Sequence, residues 1–165
     1  MNVFQPGQQS IFGTDIVGSV GALRSAFSPL LLDCAVIELN GQRGAQSSIQ
    51  DIGAVQGVST QPSALGEMVR KRGARTLLTH GLVVRLIPSS FVPAIDQFEI
   101  SGGVPFVTLF AGKGDSGSVV VNAHNQVIGP LYAIPDQDLG PGLGSRGLAM
   151  PIHSVQEALP VDIAT

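Results

Sequence analysis

Short apolar runs rich in β-branched residues recur along this chain, separated by glycine-rich turns, and helical spacing surfaces once, at the end. The run 33–39, bounded by Pro29 and by the turn dipeptide Asn40-Gly41, predicts a strand. A shorter strand is predicted at 16–20, and a weak one at 52–58, broken by Gly53 and Gly57. Imperfect alternation over 67–72 and the long apolar run 76–87 predict two strands meeting near Gly73, with Gly81 a bulge or bend in the second. Residues 97–101 and 104–110 flank Gly102-Gly103 as a hairpin, and 118–121 and 126–132 flank 122–125 as another. A glycine-, proline- and aspartate-rich surface loop follows at 135–146, then a strand at 148–152. Only 153–159 reads as helix, with Ile152, Val155 and Leu159 on one face. Many short strands and one terminal helix predict an all-β domain, sandwich or barrel.

Composition narrows the function classes. Among 165 residues, 44% are hydrophobic and 13% charged, which excludes a disordered tail and predicts a sizeable core. Tryptophan is absent and aromatics are 5%, so that core is expected to be built from Val, Leu, Ile and Ala. Net charge is −3, and the clearest basic cluster, Arg70-Lys71-Arg72 with Arg75, is too short for a nucleic-acid stripe; it reads as a solvated strand end. A single cysteine, Cys34, excludes an intrachain disulfide and reads as a buried small hydrophobe. No metal-ligand spacing is present and no cofactor is implied. With no membrane-length apolar run and no signal-peptide pattern at the start, the chain is expected to be cytoplasmic by default, a default that fails if the true N-terminus lies upstream.

Chemistry concentrates at Gly114-Asp115-Ser116-Gly117-Ser118, which runs directly into Val119-Val120-Val121. A serine between glycines at the entry to a rigid strand is the setting of an activated hydroxyl. The glycines let the backbone bend sharply, and the N–H groups of Gly114 and Ser116 can converge on one carbonyl oxygen. A bare Gly/Ser turn ahead of a buried strand is the plainer alternative; the five-residue pattern with its Val-Val-Val run favours the nucleophile.

That pattern resembles the nucleophile motif of trypsin/chymotrypsin-like serine proteases, in particular the bacterial, disulfide-free type. Leu32-Asp33-Cys34-Ala35-Val36-Ile37 is similar to the segment bearing the family's triad aspartate. Val69 to Gly73, with Thr76, Thr79 and Gly81, resembles the V-K-G-x-x-T-x-x-T-x-G-x-V hairpin of the bacterial disulfide-free members. Val127-Ile128-Gly129 and Gly147 to Ile152 resemble the strands walling the specificity pocket. The resemblance covers about residues 30 to 160 and implies a chymotrypsin-like six-stranded barrel, complete over 61–165 with a C-terminal helix, preceded by a partial first barrel over 1–60. It implies Ser116 as nucleophile, Asp33 as the carboxylate orienting the base, Gly114 and Ser116 as the oxyanion hole, and Asp115 as the loop's support through a buried partner. The substrate would be a peptide or protein.

One departure matters. The family's order is His, Asp, Ser, yet no histidine precedes Asp33; the three present are His80, His124 and His153. His80 reads as a half-buried strand residue, His124 as an exposed turn residue and His153 as a helix-start surface residue. The chain is therefore expected to be a fragment lacking the histidine segment, or an inactive form. Loss of that histidine costs about 10⁶ in turnover in a comparable hydrolase. Open strand edges predict self-association or dependence on the missing segment. The competing reading is a non-catalytic peptide-binding or scaffold module on the same fold. Phe110 precedes the motif, Tyr132 and Ala133 fall where the pocket walls are expected, and an apolar or small substrate side chain is expected there.

Overall fold

A computed structural model of the protein describes residues 2–5, 15–19, 34, 38–39, 45–61, 63–88, 97–103, 107–159 and 161–165. Six strands close into an antiparallel barrel: β6 (Met68–Gly73), β7 (Leu77–Ile87), β8 (Gln97–Ser101), β13 (Arg146–Ala149), β11 (Val127–Ala133) and β10 (Val119–Asn122), the last pairing back onto β6. Ahead of the barrel, β1 (Asn2–Gln5), β2 (Asp15–Ser19) and β3 (Glu38–Leu39) form a three-stranded sheet, and β4 (Ser48–Ile49) pairs with β5 (Gly53–Ala54). β9 (Ala111–Gly112) pairs with β12 (Leu143–Gly144) beside the barrel, and α1 spans Ile152–Ala158. The all-β class, the closed six-stranded barrel and the short terminal helix are as the sequence predicts. Among the described residues, no helix is long and apolar enough to cross a membrane, and no group of three His, Cys, Asp or Glu could hold a metal ion.

Period-two alternation explains how the barrel fills. Successive strand side chains point to opposite faces, so Val69, Lys71 and Gly73 of β6 are buried while Met68 is exposed and Arg70 and Arg72 are half-buried. Val69, Val83, Phe98, Ile100, Phe110, Val120 and Leu131 belong to one core. Phe98 and Phe110 are among its largest side chains, so the core is less purely aliphatic than composition suggests. Val121, one residue on from Val120, turns the other way into a second cluster with Val127, Met150, Ile152, Val155 and Leu159. The helical face anticipated from spacing is thus the buried one, each large apolar side chain contributing about 1.5–3 kcal/mol against exposure. Cys34 is half-buried and packs against this cluster.

Several local expectations need correction. Gly81 is not a bulge: it sits in register opposite Val69, and the irregularity in the β7–β8 ladder lies between Val83 and Arg85. A Cβ at Gly81 would stand 2.6 Å from Ile100 Cγ2 and 2.7 Å from the Ser101 carbonyl, so close packing rather than a bend calls for glycine there. The 97–101 strand is not hairpin-paired with 104–110; its partners are β7 and β13, and residues 107–110 carry no strand. β1 is unanticipated, and the weak strand at 52–58 reduces to β5 and an isolated bridge between Val58 and Val127. Of the predicted strand 33–39, Glu38–Leu39 is strand and Cys34 is not; Asp33 and residues 35–37 lie outside the described residues. Lys71 overturns the solvated reading of the basic cluster, because it occupies an inward position of β6 and is fully buried.

Candidate active site

The 112–118 loop is held from below by one carboxylate. Asp115 is fully buried, and its Oδ2 receives the Lys71 ammonium at 2.9 Å, the Thr76 hydroxyl at 2.6 Å and the Gly112 amide at 2.9 Å. Its Oδ1 accepts the amides of Arg75 at 2.8 Å and Thr76 at 3.2 Å. Lys71 also donates to the Thr76 hydroxyl. Burial, the largest single influence, pushes the Asp115 pKa up, but the bonds from Thr76, Lys71 and the Arg75 amide together outweigh it and hold the carboxyl below its usual range. For Lys71 desolvation lowers the pKa, opposed by the bond and charge of Asp115. Gly73 makes the room: a Cβ there would lie 2.2 Å from Asp115 Oδ1.

Above that anchor the backbone bends through two glycines of positive φ, Gly114 at 105° and Gly117 at 87°, conformations that side chains resist. The Gly117 amide donates to the Leu131 carbonyl at 2.8 Å, and the Ser118 amide to the Asp115 carbonyl at 2.9 Å, tying the loop to β11 and to itself. The Asp115 amide closes a turn onto the Gly112 carbonyl at 2.9 Å. Among the described residues, the amides of Gly114 and Ser116 take no partner. Both residues are exposed, and Ser116 Oγ donates to the Tyr132 carbonyl at 3.3 Å. Two unpartnered amides and an exposed hydroxyl thus belong to one short loop.

Ser116 opens on a cleft of about 310 Å³ whose lining includes Lys113, Gly114, Leu131, Tyr132, Ala133 and Gln137. Tyr132 and Ala133 therefore stand where the sequence places them, and Phe110, which precedes the motif, lies in the barrel core. The Tyr132 hydroxyl donates to Gln97 Oε1 at 2.6 Å, and the ring packs against the second core cluster.

The structure brings Gly114, Asp115 and Ser116 together in one loop. Asp33 lies outside the described residues. None of the three histidines lines the cleft. His80 is exposed rather than half-buried: it follows Thr79, which turns inward to bond the Phe110 carbonyl at 2.8 Å, so His80 points off the opposite face, across from Arg70. His124 is exposed in the turn beyond Asn122, at the other end of β10 from Ser116. His153, exposed on the first turn of α1, is bonded through Nε2 to the Ser59 carbonyl at 2.8 Å.

The residue that sequence reasoning missed is Lys71, and a signal for it existed. In an alternating strand, Val69, Lys71 and Gly73 share a phase, and a lysine in the inward phase of a barrel strand requires a buried anion.

No protein-family model matches the chain, and no curated protein matches it by sequence. Solved structures do match. A glutamic-acid-specific serine protease, described as using a histidine triad in substrate binding, superposes with a TM-score of 0.56 at 15% identity over 79% of this chain and 66% of its own. The chymotrypsin of Cellulomonas bogoriensis gives 0.56 at 16% identity over 79% of this chain and 68% of its own. The fold is that of the chymotrypsin-like serine proteases. This chain spans about two thirds of the length of those proteins, and at such identity the likeness is one of fold.

Proposed function

We propose that this chain carries the nucleophile half of a serine peptidase site, with Ser116 attacking a peptide carbonyl. One observation carries the reading: the exposed Ser116 hydroxyl shares its loop with two unpartnered amides, and that loop is anchored by a fully buried ion pair. In the proposed reaction Ser116 Oγ forms a bond to the carbonyl carbon. The carbonyl oxygen becomes an oxyanion held by the amides of Gly114 and Ser116; the C–N bond then breaks, the amine leaving with the proton that the base took from Ser116, and water hydrolyses the acyl-enzyme. Asp115 touches no reacting atom; it positions the loop. The Ser116 proton needs a base, and Asp33 is proposed to orient one; none of the described lining residues is a histidine. The protease described as glutamic-acid specific uses a histidine triad to bind substrate; no histidine of this chain lines the cleft, so that device is not carried over.

The absence of histidine from the cleft lining favours a second reading, a peptide-binding module that cuts nothing. A fluorophosphonate probe on the full chain separates the two. The nucleophile reading expects adduct formation mapped to Ser116, faster than at an exposed serine such as Ser48, and lost in Ser116→Ala. Labelling no faster than at Ser48, together with peptide binding that Ser116→Ala leaves intact, would establish the binding module instead.

A further inference from the structure

We propose that the cleft beside Ser116 selects a substrate residue with an acidic side chain, and that Lys113 is the residue that reads it. The inference rests on the cleft being a peptide-binding site. Among the described residues lining the cleft, Lys113 is the one charged side chain, and none of them is a carboxylate. The acids of the facing loop do not neutralise it. Asp136 is not among the lining residues, and Asp138 is tied to Ser145, accepting its amide at 2.8 Å and its hydroxyl at 2.5 Å. Every other lysine or arginine that enters an ion pair here is matched elsewhere: Lys71 with Asp115, Arg72 with Asp51, Arg85 and Arg146 with Glu99. Among the described residues Lys113 has no such partner.

Its position is built rather than incidental. The Lys113 amide donates to the Gly142 carbonyl at 2.8 Å, continuing the β9–β12 pairing. Its aliphatic stem runs over Gly142, where an added Cβ would meet Lys113 Cβ, Cγ and Cδ at 3.4 to 3.5 Å. Lys113 directly precedes Gly114, whose free amide faces the attacked carbonyl in the proposed reaction. Lys113 thus lines the cleft one residue before the proposed oxyanion site. An ammonium with no protein partner in a concave, partly apolar cleft attracts a carboxylate and repels a cation. The uncharged lining also includes Ala133 and Ile134, apolar surface for the methylenes of such a side chain. The apolar preference expected from sequence gives way because a lysine exposed on the cleft rim outranks the apolar wall in choosing between charged and neutral ligands.

The test measures binding of acetylated tetrapeptides ending in glutamate, leucine or lysine to the full chain, alongside fluorophosphonate labelling of Ser116. Glutamate is expected to bind about tenfold tighter than leucine, with lysine weakest, and the gap is expected to shrink as salt rises. Lys113→Glu should invert the order, and Lys113→Gln should bring glutamate and leucine level. If leucine binds as tightly as glutamate, if Lys113→Glu leaves the preference in place, or if no peptide binds while Ser116 is still labelled, the proposal is overturned and the nucleophile reading stands. If no peptide binds and Ser116 is unlabelled, both fall.

Discussion

Replacing Lys71 with methionine tests the buried anchor directly. The substitution keeps most of the side-chain volume and removes one positive charge from a site where both partners are fully buried. Removing one member of a buried ion pair typically costs about 3–5 kcal/mol, because the other charge is left without compensation. Asp115 is better insulated than most, since four donors remain: the Thr76 hydroxyl and the amides of Gly112, Arg75 and Thr76. The expected loss for Lys71→Met is therefore at the low end, about 3 kcal/mol. Asp115→Leu should cost more. It strands the Lys71 ammonium and leaves three backbone amides unsatisfied at about 1–3 kcal/mol each, enough to unfold a domain whose whole stability is about 5–15 kcal/mol. Lys71→Met with Asp115→Asn should cost less than the sum of its singles, because a neutral amide no longer needs a cation. Urea unfolding at neutral pH provides the measurement. A Lys71→Met variant within about 1 kcal/mol of the parent, or one worse than Asp115→Leu, would refute the view that this pair holds the loop.

Acid stability follows from the same carboxylates. The Asp115 and Glu99 pKa values are both lowered in the folded protein, Glu99 because the Arg146 and Arg85 guanidiniums outweigh the burial that opposes its charge. Their stabilisation is fully present above the ordinary carboxylate range and is lost as pH falls through the lowered folded values, so the urea midpoint should hold from neutral to about pH 5 and fall below about pH 4. A decline beginning near pH 6 would contradict this assignment. Gly117→Ala should cost about 1–2 kcal/mol in thermal unfolding from the positive φ alone, since no atom lies within 4 Å of the added methyl. His80→Ala should change stability by no more than about 0.5 kcal/mol and leave Ser116 labelling unchanged, because the ring stands off the outer barrel face; a loss of labelling would make His80 a substitute base.

Residues close in sequence carried most of what could be read without coordinates. The nucleophile loop is legible because bend, hydroxyl and amides all belong to five consecutive residues, and a glycine-flanked serine entering Val119-Val120-Val121 constrains its own backbone. The strands β6, β7, β10 and β11 are legible for a similar reason, as alternation and turn residues act over a few positions. The 97–110 segment misled because glycines at 102 and 103 mark a turn but do not say which strand pairs with which; β8 found partners on β7 and β13. Lys71 and Asp115 are 44 residues apart in the chain, and only closure of β10 onto β6 makes them an ion pair. The same holds for Lys113, whose neighbours across the cleft come from β11 and the loop before β12. Local chemistry fixes where a chain bends and which side chains are reactive. Which charges are neutralised, which are left facing a ligand, and whether any base reaches the hydroxyl are settled by long-range pairing, where burial raises the energetic weight of each charge.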